Sequence, residues 1–390
     1  MNIHEYQAKA ILARYGIPLP ESDVAETADA AAALASRIAG SRWAVKAQVL
    51  AGGRGRAGGV RLVDSPEAAG SAAQSLLGQR LVTARTGPEG RVVRRVSVER
   101  VIDHDRSLYV AALIDRASAS VALIGARHGG EDIEERAARD AGLIEKIVAH
   151  PVDGFSKSAL RAFAKKLALD GKLADGAADL FARMHQAFIE LDASLIEINP
   201  LVTTPEGELF ALDVKMSFDD NALFRHPELA ALYDPAERDP AELEAQRYEM
   251  NYVKLDGDIG VVVNGAGLAL ATLDLLKDAG GNPANFMDIR PEATSQKIAT
   301  GFALLLANPK VKAVLVNLYG GGVLPCDTVA EGIAMALQRA PRKLPIVFRA
   351  AGSNADLACR RLKSFGIAYT PAADMAEAVS KVLDAVRRVA

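Results

Sequence analysis

"IGVVVNGAGLALATLDLLKDAGG", residues 259–281, decides how the second half of the chain is read. An uninterrupted apolar run reaches a glycine-rich turn and then a helical pattern. The same grammar returns in "ANFMDI" before "SQKIATGFALLLAN" and in "KAVLVNLY" before "DTVAEGIAMALQRA". It recurs in "LPIVFRA" before "NADLACRRLKSFG", and in a short "AYT" before the last helix. Five β–α units in about 140 residues predict a doubly wound parallel sheet.

Working upstream, "HPELAALYDPAERDPAELEAQRYEMN" (226–251) is polar, acidic and proline-rich, and reads as a linker, placed at 239–250, or as a surface-wrapping segment. It separates a domain over 251–390 from one over 1–238. The first domain has a different texture. "RWAVKAQVL", "GVRLVDS", "RRVSVERVI", "SLYVAALIDR" and "ASVALIGAR" read as strands of an antiparallel set. Helical patterns take over from about Ser156 to Leu191, and "SLIEINPLVTT" and "LFALDVKMSF" follow as strands around the turn "PEGE". Strands in blocks and helices in blocks make this half α+β. The opening "MNIHEYQAKAILARYG" predicts a helix with Asn2 and Glu5 as a capping box and Gly16 and Pro18 closing it.

Composition narrows the class. The chain has 390 residues, half of them hydrophobic, and a net charge of −3, which points away from nucleic-acid and membrane-surface binding. Cys326 and Cys359 form neither a disulfide framework nor a metal signature, as expected of reduced thiols in a cytoplasmic protein. No apolar run approaches the roughly 18 residues that a membrane span needs.

In open parallel sheets ligands bind at the carboxyl ends of the strands. That rule selects Asn264-Gly265-Ala266-Gly267, Asp288-Ile289-Arg290, Gly320-Gly321-Gly322-Val323 and Ala350-Ala351-Gly352. Three of these turns are glycine-rich, so backbone N–H groups can approach an anion. The second, inside "NFMDIRPEATSQK" (285–297), carries Arg290, Pro291 and Glu292 instead. The first domain offers another phosphate device in "VKAQVLAGGRGRAGGVRL", which lacks the GxxxxGK[ST] pattern and leads into a strand. With Lys46 before it and Arg54 and Arg56 inside, it can fold over a triphosphate, or stand as a solvated basic hairpin. Glu197, Asn199 and Asp213 are hard oxygen donors on adjacent strands, suited to Mg²⁺.

"MNIHEYQAK", "AVKAQVLAGGRGRAGG", "EINPLV", "FDDNALFR", "LDGDIGVVVNGAGLA" and "KAVLVN" together resemble the β subunit of succinyl-CoA synthetase (succinate–CoA ligase), almost end to end. The resemblance implies an ATP-grasp domain followed by a flavodoxin-like CoA-ligase domain. It implies ADP-forming ligation of a carboxylic acid to CoA with Mg²⁺ and ATP, GTP being left open. The partner α subunit would hold most of the CoA site and the phosphorylated histidine, in a heterodimer or a dimer of heterodimers. Carried over by position, Lys46, Gly53, Arg54 and Gly55 match the ATP phosphate contacts, and Glu99 and Ile102 the nucleoside end. Asn199 and Asp213 match the metal ligands, and Glu197 the carboxylate that orients the partner's histidine. Asn264 with Gly321, Gly322 and Val323 matches the acid and phosphate site, and the helix from Asp327 would face the phosphohistidine.

The departures from that family pattern cluster. "DIRPEAT" stands for "DVGGGAT", and "YGGGVLPCD" for "FGGIVRCD"; Ser107 replaces a glutamate at the nucleoside end, and Leu50 a histidine before the glycine loop. Both altered acid-side loops are expected to end neighbouring parallel strands. Arg290 is therefore a candidate substrate residue, for malate, another dicarboxylate or a sulfonated acid such as sulfoacetate. The plainer alternative pairs Arg290 with Glu292, or uses it against the α subunit. A non-catalytic regulatory paralogue would have damaged nucleotide positions, which this chain does not. An ATP-grasp ligase of another kind, such as a biotin-carboxylase relative, would lack the second domain.

Overall fold

The structure is a computed structural model that describes residues 1–390 except 249, 321–323 and 390. The chain divides into two compact units, Met1–Glu237 and Arg238–Ala390. Among the described residues no helix is long and apolar enough to cross a membrane.

Among the described residues the first unit holds two large antiparallel sheets and a two-stranded ribbon, Arg80–Leu81 with Arg91–Val92. One has the order Ser22–Ala25, Val96–Arg100, Trp43–Ala47, Val60–Val63. Helices Ala28–Arg37 and Pro66–Leu76 pack with it, N-capped by Thr27 and Ser65, whose hydroxyls accept from Ala30 N and Ala68 N. The helices approach closely at Gly70, where a Cβ would meet Ala28 O at 3.2 Å. The other sheet runs Leu209–Ala211, Ala193–Thr203, Arg106–Asp115, Ser120–Ala126, Glu145–Val148, with Val214–Phe218 also paired to Ala193–Thr203. The stretch read as one strand, 209–218, is thus two strands interrupted at Leu212 and Asp213. The helical stretch from Ser156 resolves into Lys157–Lys166 and Gly171–Glu190, whose Leu160, Phe163, Phe181 and Met184 form the core over this sheet.

The first helix, Glu5–Arg14, corrects the expected capping box. His4 is its N-cap, and the His4 backbone N–H donates to Gln7 Oε1 at 2.9 Å. Asn2 Oδ1 instead accepts from Ser217 Oγ at 2.6 Å, and Glu5 is buried in an ionic cluster.

The second unit is a six-stranded sheet ordered Asn251–Lys254, Asn285–Asp288, Ile259–Val263, Ala313–Gly320, Ile346–Gly352, Thr370–Pro371. The first strand is antiparallel to its neighbour and the other five are parallel. Numbered in chain order, the parallel strands read 2-1-3-4-5, the flavodoxin-like order, so the strands that end at Asp288 and Gly320, expected as neighbours, are separated by Ile259–Val263. Both faces are apolar, which explains the unbroken runs in the sequence. Val261, Val263, Leu315 and Val347 pack with Leu276 and Val382, and Val262, Val316 and Phe348 with Phe302, Ile333 and Leu362. The segment expected as a linker holds a helix, Pro240–Arg247, N-capped by Asp239. Its polar residues are the outer face, while Ala245 and Met250 belong to the core of this unit.

Phe302→Ala should destabilise the second unit by about 3–5 kcal/mol through the cavity it leaves. A fall in the urea midpoint of that unit, with its m-value unchanged, is the expected outcome.

Candidate functional site

Strand Trp43–Ala47 is buried along its whole length and delivers Lys46 into the interior. Lys46 Nζ donates to Glu99 Oε1 at 2.7 Å and Leu212 O at 2.8 Å, and lies 3.3 Å from Glu5 Oε1. Lys9, one helical turn after Glu5, lies 2.8 Å from Glu5 Oε1 and also donates to Glu99 Oε2. Arg54 belongs to the glycine-rich loop but turns inward. Its Nη1 donates to Ala47 O at 2.9 Å, and its Nη2 to Glu5 Oε2 at 2.5 Å and Asp213 Oδ1 at 2.8 Å. Three cations and three carboxylates therefore close a neutral cluster, almost all of it out of water.

Burial alone would push the Glu5 carboxyl up, but Lys46, Lys9 and Arg54 outweigh it and hold the group well below the usual carboxylate range. Burial would likewise lower Lys46, yet Glu5, Glu99 and Asp213 raise it, so the ammonium stays charged. Arg54 is held charged in the same way by Glu5 and Asp213. Sequence reasoning missed Glu5 and Lys9. The available signal was a glutamate and a lysine at i,i+4 spacing in a helix that looked merely amphipathic.

The rest of the loop presents backbone. Gly55 N and Arg56 N donate to the two oxygens of Glu131 at 2.8 and 3.1 Å, and Arg56 Nη1 lies 3.4 Å from Glu135. Arg85 pairs with Glu134. Consecutive N–H groups holding a carboxylate are an oxyanion nest, here filled by the chain's own side chain. Next to it lies a cleft of about 280 Å³ lined by residues 49–52, Glu5, Arg54, Glu197, Asp213 and Lys215.

Glu197 and Lys215 face each other across paired strands, with Lys215 Nζ donating to Glu197 Oε1 at 2.5 Å. Asn199 N donates to Asp213 O at 3.0 Å, so the two expected metal ligands sit at one break in the ladder. The Asn199 amide is matched to Gly130: its Oδ1 accepts from Gly130 N at 2.7 Å and its Nδ2 donates to Gly130 O at 3.1 Å. Gly129 must be glycine, because a Cβ would come within 2.5 Å of Leu108 O. One amide oxygen and one partly exposed carboxylate suit a hard cation that completes its shell with water and phosphate oxygens. Among the described residues no group of three His, Cys, Asp or Glu side chains is placed to hold a metal.

The other expected residues scatter. Glu99, expected at the nucleoside end, is engaged within the ionic cluster by Lys9 and Lys46. Ile102 follows strand Val96–Arg100, and its carbonyl accepts from His104 Nδ1 at 2.9 Å. Ser107 lies in strand Arg106–Asp115, and its carbonyl accepts from Gly129 N at 2.8 Å. Gly53, at φ +78°, takes the left-handed turn into the loop.

In the second unit Asn264 ends its strand and pairs with Tyr319 on the next. Its Nδ2 donates to Tyr319 O and its Oδ1 accepts from Tyr319 N, both at 3.0 Å. Asp288 Oδ1 accepts from Gly265 N at 2.5 Å, at the N-terminus of helix Ala266–Asp278. Its Oδ2 accepts from Asn251 Nδ2 at 3.3 Å, and Arg290 Nη2 donates to Asn251 Oδ1 at 3.2 Å. Arg290 is exposed, and its hydrogen bond goes to Asn251 rather than Glu292. Gly321, Gly322 and Val323 lie outside the described residues. Asp327, in the first turn of helix Cys326–Arg339, accepts from Asn354 Nδ2 at 3.0 Å and lies 3.5 Å from Arg361 Nη2.

A buried lysine–arginine–carboxylate cluster between antiparallel sheets, in a chain that continues as a doubly wound sheet, defines a two-domain ligase architecture. The ATP-grasp domain family matches residues 2–203, and the CoA-ligase family matches residues 262–383. The chain belongs to the family of succinate–CoA ligase [ADP-forming] β subunits. It is 43% identical over 399 residues to the member from Paramagnetospirillum magneticum, covering all of both chains. It is 44% identical over 387 residues to that from Acidovorax sp. (strain JS42), covering 99% of this chain and 100% of that one. The same fold occurs in ATP citrate lyase from Methanothrix soehngenii, solved with citrate and coenzyme A. That similarity has a TM-score of 0.73 at 18% identity and covers 98% and 99% of the two chains.

Glu5→Gln removes one anion from the cluster and leaves buried cations short of a partner, which should cost about 3–5 kcal/mol. The pH dependence follows from the lowered carboxyl. Its stabilisation is present above the unfolded value near 4 and is lost as pH falls through the lower folded value. Acid denaturation curves of the wild type should therefore drop more steeply below about pH 4 than those of Glu5→Gln.

Proposed function

We propose that this chain is the nucleotide-binding β subunit of an ADP-forming acid–CoA ligase. It acts with an α-type subunit that carries the CoA site and the phosphorylated histidine. The overall reaction is acid, CoA and ATP to acyl-CoA, ADP and phosphate. The observation that carries the reading is the oxyanion nest at Gly55 and Arg56 beside the buried Lys46–Arg54 cluster.

On this reading Gly53 and the Gly55 N–H hold phosphate oxygens. Lys46 and Arg54 supply fixed positive charge that burial keeps in place and the surrounding carboxylates keep protonated. The nucleoside end falls to Glu99, Ile102 and Ser107, with ATP favoured and GTP left open. Asn199 and Asp213 would hold Mg²⁺, which neutralises phosphate charge when bound. Glu197, held by Lys215 at the cleft, orients the partner's histidine. Asn264 and 321–323 contact the acid.

A second reading concerns the acid. Arg290 has one hydrogen bond to Asn251 and is otherwise exposed on the rim, so a di-acid or sulfo-acid other than succinate can engage its guanidinium. Co-expression with the neighbouring α-type subunit and a panel of succinate, malate, itaconate, glutarate and sulfoacetate, each with ATP and GTP, tests both readings. ADP release dependent on CoA and acid is expected. Arg290→Ala should raise the KM for the preferred acid about tenfold with the ATP KM unchanged. No acid-dependent release with any acid would sink the ligase reading, and an unchanged acid KM the role of Arg290.

The nest adds a sharper test. Because Glu131 occupies the N–H groups proposed for phosphate, Glu131→Gln should weaken the internal competitor. The nucleotide KM should fall about two- to tenfold with kcat little changed. A raised KM would show that Glu131 shapes the loop instead.

A further inference from the structure

Strand Ile346–Gly352 carries an arginine inside its apolar run. Arg349 is only 8% exposed and lies opposite Asn317 in the parallel pairing, near the carboxyl end of the sheet. Its Nη1 donates to Asn317 Oδ1 at 3.1 Å and to Leu318 O at 3.4 Å. Its Nε is buried and, among the described residues, donates to nothing. Asn317 donates onward to Thr272 Oγ1 at 2.8 Å, and Thr272 to Leu268 O at 2.7 Å. Every member of that relay is neutral. Among the described residues no carboxylate pairs with Arg349. The contrast with the first unit is direct, since Lys9, Lys46 and Arg54 are equally buried but each meets a carboxylate. A guanidinium removed from water without a counter-ion is a poor use of an interior position unless an anion arrives.

The place is also informative. In a 2-1-3-4-5 sheet the crevice opens between the carboxyl ends of parallel strands 1 and 3. Here these are Ile259–Val263 and Ala313–Gly320, and the Asn264 amide bridges them through the Tyr319 backbone. The ring of Tyr319, 62% exposed, stands over Arg349 with the guanidinium carbon 5.1 Å from its centroid. Nε belongs to an edge of the guanidinium that recognises a carboxylate side-on, and the ring stands over the face of the same group. An exposed ring turns quickly, so the cover can move aside.

We propose that Arg349 is the buried counter-charge for an oxyanion of the acid substrate, a carboxylate or sulfonate, with Tyr319 as its movable cover. This rests on the acid–CoA ligase reading and adds to it a specificity residue on the strand next to Tyr319. Arg349→Lys keeps the charge but loses the fork, and Tyr319→Ala alters an exposed position that does not threaten folding.

The test uses the assembled complex with the α-type subunit. Three quantities are measured: the KM values for acid and ATP, phosphorylation of the partner by ATP without acid, and thermal stabilisation by succinate, sulfoacetate or inorganic phosphate. Arg349→Lys should raise the acid KM about tenfold or more and abolish saturable stabilisation by the acid. The ATP KM, acid-independent phosphorylation and the phosphate response should stay at wild-type values. Tyr319→Ala should lower the acid KM about two- to fivefold by removing the cover. A lower melting temperature in Arg349→Lys with acid stabilisation intact would make the residue structural and overturn the proposal. Loss of the phosphate response alone would overturn it in favour of a phosphoryl anion. If the wild type turns over no acid, the ligase reading fails by itself. Saturable acid stabilisation present in the wild type and absent in Arg349→Lys still decides the role of the arginine.

Discussion

The first unit is organised around one constraint, that three buried cations must share three carboxylates. Glu5 and Lys9 come from the first helix, Lys46 and Glu99 from one sheet, and Arg54 from the glycine-rich loop. Asp213 comes from the break between two strands of the other sheet. Removing any one partner leaves a charge stranded in low dielectric, which costs more than the intact pair contributes. The cluster therefore ties the helix, the loop and both sheets to a single geometry. It also keeps Lys46 and Arg54 charged, and in place, before any ligand binds.

That arrangement has a consequence for what can bind. The cluster is already neutral, so it does not attract a bare anion strongly; an incoming oxyanion has to take partners from Glu5, Glu99 or Asp213. The nest at Gly55 and Arg56 is satisfied in the same way by Glu131. A metal-bound nucleotide arrives with part of its charge already neutralised, and exchanging one set of oxygens for another is the natural way for it to enter. The second unit has the opposite character. Arg349 lacks a carboxylate partner among the described residues, and Arg290 has a single neutral one. A small free acid brings its own uncompensated charge, and that is the ligand such a rim suits.

The second unit was legible because burial on both faces writes long apolar runs, and strand–turn–helix order then fixes the sheet. Lys46, Arg54 and Asp213 were legible as chemistry, but not as one cluster. Glu5 meets Lys46 across 41 residues and Lys9 meets Glu99 across 90, and no local pattern encodes such pairings. Arg54 read as a cation of a phosphate lid or of a solvated hairpin because its inward turn depends on Glu5. The segment 239–250 looked like a linker because composition averages a helix's exposed face with its single buried stripe. Arg349 was hidden for a related reason: an apolar run argues for a strand and says nothing about the one charged residue it carries.

The same segment bears on the acid rim. Asn251 opens the antiparallel edge strand that follows helix Pro240–Arg247, and it is the residue that tethers Arg290. Through Asp288 it also reaches Gly265 N. Asp288 already neutralises the N-terminus of helix Ala266–Asp278, so that helix end has little attraction left for another anion. On the acid–CoA ligase reading, side-chain cations then share recognition of a free acid with Asn264, and among the described residues two such cations stand near the strand ends. Arg349 is held inside the sheet by Asn317, while Arg290 stands on the surface and is positioned by the edge strand. A buried arginine fixes where one oxyanion can sit. An exposed one, steered by a replaceable neighbour, is where acid preference can drift without disturbing the fold.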